Sequence, residues 1–289
     1  MNQFVLALLL GIVEGVTEFL PVSSTAHLRI TEALLGVDLG DGYWKMFSIV
    51  IQLGAILCLP IYFRERIAKF LRTFPQGERG DRTVLTHPLT LTMVAFVCTA
   101  VPAFLLTKVI GKHLESLRIM ALSLIIGGVI MWVVDWLYQQ GRLAQRRVEH
   151  MEEMTLGQAV WIGLCQVFSA VFPGTSRSMA TIAAGQVAGL SRTAALEFSF
   201  FLSMPTMAAA TLYDLYKAIR PHHGEPSALG QVHMTGQLWL TLGIGFVVSF
   251  LVAYAVVAWF MSWVRNRGFV PFAIYRIIAG IAVWVWMTK

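Results

Sequence analysis

The sequence predicts an all-α polytopic membrane protein built from two inverted-topology repeats, each a re-entrant helix hairpin plus three transmembrane helices. Composition is the first observation: 57% of the 289 residues are hydrophobic and 13% are charged, about half the charged fraction of soluble domains. Apolar runs long enough to cross about 30 Å of hydrocarbon recur along the chain. The third observation is a polar cassette within apolar sequence that occurs once in each half, at residues 14–27 and 166–179.

The two cassettes align at a constant offset of 152 residues without a gap. The first is EGVTEFLPVSSTAH and the second is QVFSAVFPGTSRSM, so that Ser24 falls on Ser176 and His27 falls on Met179. Each contains the end of a hydrophobic helix, a proline, a Ser/Thr-rich turn and the start of a short apolar helix. Matching interruptions in the two halves are typical of helices broken inside a bilayer around a central site.

The apolar pattern predicts ten helical segments. They lie at about 2–20, 24–36, 45–63, 89–109, 114–138, 156–172, 176–190, 194–217, 236–260 and 269–287. The segments 24–36 and 176–190 are too short to span, so each forms a hairpin with the helix before it. We expect one membrane domain over residues 1–289, with repeat one at about 1–138 and repeat two at about 156–289. Three spans per repeat is an odd number, so the second repeat is inserted upside down.

The charged residues predict the orientation. The loops 64–82, 139–155 and 261–268 are rich in Lys and Arg and fall on one face, which the positive-inside rule makes cytoplasmic. Both termini are then outside. The net charge of +6 is concentrated in such loops, so we expect no nucleic-acid partner. The three cysteines have no paired spacing and predict neither disulfides nor a zinc site.

Glu14 and Glu18 lie four residues apart, on one face of the first predicted helix. Two carboxylates this close in a low dielectric repel each other unless a cation or a proton intervenes. Mg²⁺ typically binds one or two carboxylates together with substrate phosphates. Although solvated glutamates near the surface are the alternative, ionisable residues inside spans are usually functional. We therefore expect Glu14 and Glu18 to bind a divalent cation, Mg²⁺ or Ca²⁺.

The turn of each cassette begins a short helix, whose unpaired N–H groups and partial positive charge favour phosphate. Ordinary N-capping explains one such segment, but two in register favour an anion site. The predicted phosphate-binding residues are Ser23, Thr25, Gly174, Thr175, Ser176, Arg177 and Ser178.

Four residues are predicted to be catalytic: Glu18, Ser24, His27 and Arg177. The guanidinium of Arg177 suits bidentate phosphate contact. His27 shares a helical face with Ser24, and either side chain, or an activated water, could be the nucleophile. Only the first cassette contains the carboxylates and the histidine, and this asymmetry favours chemistry over symmetric transport.

These motifs, together with the stretch IQLGAI, closely resemble the undecaprenyl-diphosphate phosphatase family linked to bacitracin resistance, over the full length. The resemblance implies a hydrolase of the bacterial inner membrane. It would convert C55-isoprenyl diphosphate to the monophosphate and inorganic phosphate, recycling the lipid carrier for peptidoglycan. It assigns the metal and catalytic roles to Glu14, Glu18, Ser24, Thr25, His27, Ser176 and Arg177. One departure is Met179, where a smaller residue is expected.

Several alternatives stay open at this point. Inverted repeats with broken helices also occur in transporters, so a lipid-phosphate flippase or an ion-coupled transporter is the second hypothesis. Partners are the isoprenyl diphosphate and bilayer lipid, with a homodimer left open, as is the face that admits substrate. Arg276, inside the last span, either contacts an acid or snorkels, Asp135 is expected to be interfacial, and Gln52 and Ser203 line a cavity or bond between helices.

Overall fold

A computed structural model of the chain describes residues 2–37, 41–106, 116–143, 148–219 and 234–288. These residues form eleven α-helices, one short 3-10 helix (Met151–Glu153) and an isolated bridge between Val148 and Leu190, which confirms the all-helical class. The helices are α1 (Gln3–Thr17), α2 (Ser24–Leu34), α3 (Gly42–Tyr62), α4 (Arg64–Thr73), α5 (Pro88–Leu105), α6 (Leu117–Gln139), α7 (Leu156–Val171), α8 (Arg177–Val187), α9 (Arg192–Ile219), α10 (Gly236–Asn266) and α11 (Val270–Met287).

Six of these helices, α3, α5, α6, α9, α10 and α11, are long and apolar enough to cross a membrane. They are the six full spans that the sequence predicts, and the chain is a multi-span membrane protein. The predicted helix ends at 109 and 114 lie outside the described residues. At 1.5 Å per residue, the 15 residues of α1 and the 16 of α7 extend only about 22–24 Å. They are therefore too short to cross about 30 Å of hydrocarbon alone.

The spans of each half pack against the broken helix of the other half. The first broken helix, α1, packs against α10, and the second, α7, packs against α5. Hydroxyl groups form hydrogen bonds between helices. Thr99 Oγ1 of α5 donates to Gly163 O of α7 at 2.7 Å, and Ser249 Oγ of α10 donates to Ile51 O of α3 at 2.7 Å. Hydroxyl-to-carbonyl bonds of this kind are common between membrane helices. The arrangement brings the ends of α1 and α7 together in the interior.

The predicted loop at 64–82 contains a helix. In α4, Ile67 and Phe70 lie three residues apart and face inward, as expected of an amphipathic helix. Arg66 forms ion pairs with Glu152 and Glu197, each at 2.7 Å. Part of the basic loop is thus ordered by packing and ion pairs with the second half.

Asp135, expected at the membrane interface from its place near the end of α6, has its side chain enclosed by protein. The residue is fully buried and accepts hydrogen bonds from Arg192 Nε at 2.8 Å, Gln186 Nε2 at 3.1 Å and the backbone N–H of Phe269 at 2.9 Å. A buried carboxylate is stable when it is paired and hydrogen-bonded in this way. It connects α6 to α8, α9 and the start of α11.

Candidate active site

The site lies where two helices are interrupted, and the interruptions follow from local sequence. We call residues 18–22 the first break and residues 172–175 the second break. Each contains a proline, which cannot donate to a helical carbonyl. The helix that follows each break begins with a serine cap: Ser23 Oγ accepts from Ala26 N at 3.4 Å, and Ser176 Oγ accepts from Met179 N at 3.3 Å.

The two cap serines share a rare backbone conformation. Ser23 has φ 75° and Ser176 has φ 71°, and within the described ranges no other non-glycine residue has a positive φ. Such a conformation costs about 1–3 kcal/mol and persists only where the surroundings impose it. It identifies Ser23 and Ser176 as structurally equivalent positions.

This equivalence corrects the gapless alignment. Ser23 and Ser176 are 153 positions apart, not 152, because the second break has one more residue between its proline and its cap. Ser24 therefore corresponds to Arg177, and His27 corresponds to Ala180 rather than to Met179. Met179, the departure noted in the sequence, is buried.

Ser24 and Arg177, each the first residue of its short helix, bind the same carboxylate. Ser24 Oγ donates to Glu18 Oε2, and Arg177 Nη2 donates to Glu18 Oε1 at 3.2 Å. The Glu18 side chain is almost fully buried, where charge-assisted hydrogen bonds are strong. The structure thus brings together three of the four predicted catalytic residues.

A cavity of about 190 Å³ lies beside this carboxylate. Residues of the breaks and caps form one part of its lining, which we call the break wall: Glu18, Ser23, Ser24, Thr25, Pro173, Gly174, Ser176 and Arg177. Residues of α3, α7 and α9 form the rest, which we call the second wall: Gln52, Ser169, Ala170, Thr206, Met207 and Ala210. Gln52 thus lines the cavity, and it also accepts a hydrogen bond from Thr211 of α9 at 3.4 Å, so both alternatives left open above hold for it.

The break wall is rich in hydrogen-bond donors. The first-turn N–H groups of α2 and α8 have no partner within their own helices. Arg177 Nη1 is buried and has no partner in the described part of the chain. An anion in the cavity would supply the missing acceptor, because buried polar groups in native structures are normally satisfied.

The hydroxyls of the second cassette join the two breaks. Ser178 Oγ donates to Leu20 O at 2.9 Å and lies 3.1 Å from Ser176 Oγ. Since the proton of Ser178 is directed to Leu20, Ser176 is the donor in the second contact. Ser178 and Thr175 do not line the cavity. Among the predicted phosphate-binding side chains of this turn, that of Arg177 remains available, through Nη1.

Arg276 is the residue that sequence reasoning left without a role. It is fully buried. Nη1 donates to Pro21 O at 3.0 Å, and Nη2 donates to the carbonyls of Gly174 at 3.1 Å, Thr175 at 2.9 Å and Ser123 at 3.1 Å. It therefore neither contacts an acid nor snorkels, but holds the two breaks together. A charged residue within a span was the available signal.

Gly174 makes the second break fit this arrangement. Its φ is 92°, a conformation that side chains disfavour. A Cβ atom here would lie 2.7 Å from the carbonyl oxygen of Met120. The close approach to α6 lets the carbonyl of Gly174 reach Arg276.

His27 lies apart from the cavity. Its Nδ1 is 2.7 Å from Ser23 O, and its Nε2 is 2.6 Å from the hydroxyl of Tyr275. The His27 and Tyr275 rings are stacked, with centroids 5.6 Å apart. Because a carbonyl oxygen only accepts, Nδ1 carries the proton and Nε2 accepts from Tyr275. The structure does not bring His27 together with Ser24 and Glu18, although the sequence places all three in one cassette.

Glu14 is fully buried, and neither of its carboxylate oxygens has a hydrogen-bond partner in the described ranges. It precedes Glu18 by one helical turn and does not line the cavity. Within those ranges, no group of three or more His, Cys, Asp or Glu side chains could hold a metal ion. Two carboxylates nevertheless fit a hard divalent cation that also binds phosphate oxygens, and the unpartnered oxygens of Glu14 suit that role.

Comparison with known proteins identifies relatives of this chain. Residues 7–282 match the family model described as bacitracin resistance protein BacA. An undecaprenyl-diphosphatase from Koribacter versatilis is 67% identical over the full length of both chains. One from Caldanaerobacter subterraneus subsp. tengcongensis is 37% identical, covering 97% of this chain and 95% of the relative. Undecaprenyl-diphosphatase 2 from Paramagnetospirillum magneticum is 41% identical, covering 95% of each chain.

Proposed function

Because the chain belongs to the bacitracin resistance protein BacA family, we propose that it hydrolyses undecaprenyl diphosphate to undecaprenyl phosphate and inorganic phosphate. The relatives named undecaprenyl-diphosphatase match it from end to end. The reaction returns the lipid carrier to cell-wall synthesis. One observation supports the mechanism most directly: Ser24 and Arg177 converge on Glu18 beside a cavity between two helix N-termini.

The diphosphate enters the cavity while the lipid tail stays in the bilayer. Its terminal phosphate binds the first-turn N–H groups of α2 and α8 that the serine caps leave unbonded, together with the free Nη1 of Arg177. Helix N-termini favour anions, and the planar guanidinium suits phosphate. These donors stabilise the negative charge on the equatorial oxygens during phosphoryl transfer.

Ser24 is the nucleophile in this mechanism, and Glu18 is the general base that already accepts its hydrogen bond. The Ser24 proton moves to Glu18 as the Oγ–P bond forms. The bond from phosphorus to the bridging oxygen breaks, and undecaprenyl phosphate leaves with that electron pair. Water then cleaves the phosphoserine, releases inorganic phosphate and restores the hydroxyl.

His27 has a positioning role in this mechanism instead of the proton-transfer role considered from sequence. Its Nδ1–H binds the carbonyl of Ser23, whose positive φ directs the start of α2. Tyr275 holds the other ring nitrogen. His27 thereby supports the backbone that presents Ser24 to Glu18.

Glu14 and Glu18 are the residues that would hold a divalent cation, Mg²⁺ or Ca²⁺. When bound, the ion would neutralise charge on the diphosphate oxygens. Two buried carboxylates one turn apart repel each other unless a cation or a proton intervenes. Among the described residues, Arg177 pairs with Glu18 alone, so the unpartnered oxygens of Glu14 are the observation that supports this assignment.

The helix packing supports the two inverted repeats. Helices α1, α2, α3, α5 and α6 correspond to α7, α8, α9, α10 and α11. The contact of α1 with α10 matches that of α7 with α5, while α3 packs on α9 and α6 packs on α11. Gly11 faces the backbone of α10 and Gly163 faces that of α5, at equivalent points. An odd number of spans per repeat inverts the second repeat, and the positive-inside rule then places both termini outside the bacterial inner membrane.

Detergent-solubilised protein tests the function, because no gradient exists there to support transport. Wild type should release phosphate from undecaprenyl diphosphate, and Glu18→Gln, Ser24→Ala and Arg177→Ala should each lose at least about 100-fold in kcat. With a ³²P label on the terminal phosphate, rapid quenching in neutral SDS, which preserves phosphoserine and phosphohistidine alike, should trap phosphoserine at residue 24.

Other outcomes have distinct meanings. Full activity in a correctly folded Ser24→Ala protein would contradict the nucleophile, and a phosphohistidine would return that role to His27. Substrate binding without turnover by wild type would support the flippase or transporter and contradict the hydrolase.

A further inference from the structure

The second wall of the cavity has no part in the mechanism above, yet it contains three polar side chains: Gln52, Ser169 and Thr206. The remaining second-wall residues, Ala170, Met207 and Ala210, present only apolar side chains. A diphosphate has two phosphate groups, and the break wall accounts for one. The hydrogen-bonding state of the three polar side chains determines what the second wall can bind.

Two of these side chains cannot donate to a phosphate. Ser169 Oγ donates to Gln166 O at 2.6 Å, and Thr206 Oγ1 donates to Leu202 O at 2.7 Å. A hydroxyl has one proton, so each now offers only lone pairs to the cavity. Phosphate oxygens are acceptors, and lone pairs do not bind them.

Gln52 differs from these two residues. Thr211 Oγ1 donates to Gln52 Oε1 at 3.4 Å, which orients the amide. Thr211 is buried on α9, so this orientation is set by the packing of α9 against α3. Among the residues that the structure describes, none accepts a hydrogen bond from Gln52 Nε2, which keeps both of its protons.

We propose that Gln52 binds the lipid-linked phosphate of the substrate and so makes the cavity selective for diphosphates over monophosphates. The inference rests on the proposed hydrolase function and adds the second half of substrate recognition. The break wall binds the terminal phosphate, and the Gln52 amide binds the phosphate that leaves with the lipid. A monophosphate can occupy only one of the two subsites.

Inhibitor competition separates the two subsites. Inorganic phosphate probes the break wall alone, and methylenediphosphonate, which is not hydrolysed, probes both walls. In Gln52→Leu, Ki for methylenediphosphonate and KM for farnesyl diphosphate should rise about tenfold or more, the usual effect of losing a hydrogen bond to a charged group. Ki for inorganic phosphate should stay within about twofold, because the contacts to the terminal phosphate are untouched.

Two further variants test the geometry. Gln52→Glu places a negative charge beside the phosphate and should weaken the binding of the diphosphonate more than Gln52→Leu does. Thr211→Val leaves Gln52 in place without its orienting partner, and should weaken the binding of the diphosphonate less than Gln52→Leu does. Thr92→Val is the matched control, because Thr92 Oγ1 donates only within α5, to Pro88 O at 2.9 Å, and does not line the cavity. It should leave both inhibition constants unchanged.

An equal rise of both inhibition constants in Gln52→Leu would show general damage to the cavity and overturn the inference. No change in either constant would also overturn it. If Gln52→Leu fails to fold, an unchanged diphosphonate constant in Thr211→Val overturns the inference instead. Absence of hydrolysis by wild type would refute the proposed function, whereas normal wild-type hydrolysis with an unaffected Gln52→Leu protein refutes only this inference.

Discussion

Replacing His27 separates a positioning role from proton transfer. In His27→Asn, the amide Nδ2 can still donate to the carbonyl of Ser23 four residues earlier, as Nδ1–H does now at 2.7 Å. The variant keeps the bond that supports the positive φ of Ser23 and removes the titratable ring. We therefore expect it to retain much of the activity, whereas His27→Ala loses both bonds of the ring.

The hydrogen bonds give the magnitudes. A typical intramolecular hydrogen bond contributes about 0.5–1.5 kcal/mol, and about 1.4 kcal/mol corresponds to tenfold in rate. Tyr275→Phe removes one bond, at 2.6 Å, so kcat/KM should fall by about tenfold or less. His27→Ala removes two hydrogen bonds, so its kcat/KM should fall by about 10- to 100-fold. The kcat/KM of His27→Asn should lie close to that of Tyr275→Phe.

The assay is kcat/KM for a prenyl diphosphate between about pH 5 and 9, with the thermal midpoint of each variant as a control for folding. An imidazole acting as acid or base imposes a titration between about pH 5 and 8. A positioning residue does not, so the profile of His27→Asn should keep the wild-type shape. Loss of one limb of the pH profile in His27→Asn would refute the reasoning. So would a fall in kcat/KM of about 10³-fold or more, as expected for a missing general acid or base.

Two further predictions concern the breaks. Arg276→Met leaves the carbonyls of Pro21, Gly174 and Thr175 without the donor that Arg276 supplies, and each such loss costs about 1–3 kcal/mol. The thermal midpoint should therefore fall, and phosphate release should drop at least about 100-fold. An unchanged midpoint would contradict this role. Gly174→Ala places a Cβ atom 2.7 Å from Met120 O at a positive φ and should lower kcat about tenfold or more. Gly157→Ala is the control, because the space around its Cβ atom is open, and its kcat should match that of wild type in the same assay.

The sequence predicts well what local pattern determines. Apolar run length identifies the six spans, and a proline before a Ser/Thr turn identifies each break. Two carboxylates and an arginine at the breaks were enough to predict that Glu18, Ser24 and Arg177 share a site. The helix α4 was missed because Ile67 and Phe70 form too short an apolar pattern within a basic segment.

Contacts between distant segments could not be predicted in the same way. Arg276 reaches Pro21 across 255 positions, and His27 reaches Tyr275 across 248. A single sequence shows that a buried arginine needs partners, but backbone carbonyls leave no residue-type signal. The extra residue in the second break was equally hidden, because Ser24 aligns with Ser176 by identity, whereas backbone conformation pairs Ser176 with Ser23.

That one-residue shift changes the interpretation of the duplication. Ser24 and Arg177 occupy the same structural position, the first residue after a cap serine with positive φ, and both bind Glu18. In the aligned helix α7, the counterpart of Glu18 is Ala170, so the two breaks share one carboxylate and form one centre instead of two. In the proposed mechanism, transfer of the Ser24 proton to Glu18 removes the charge that holds Arg177 Nη2. The full charge of Arg177 then becomes available to the phosphate as the transition state forms, when stabilisation increases the rate.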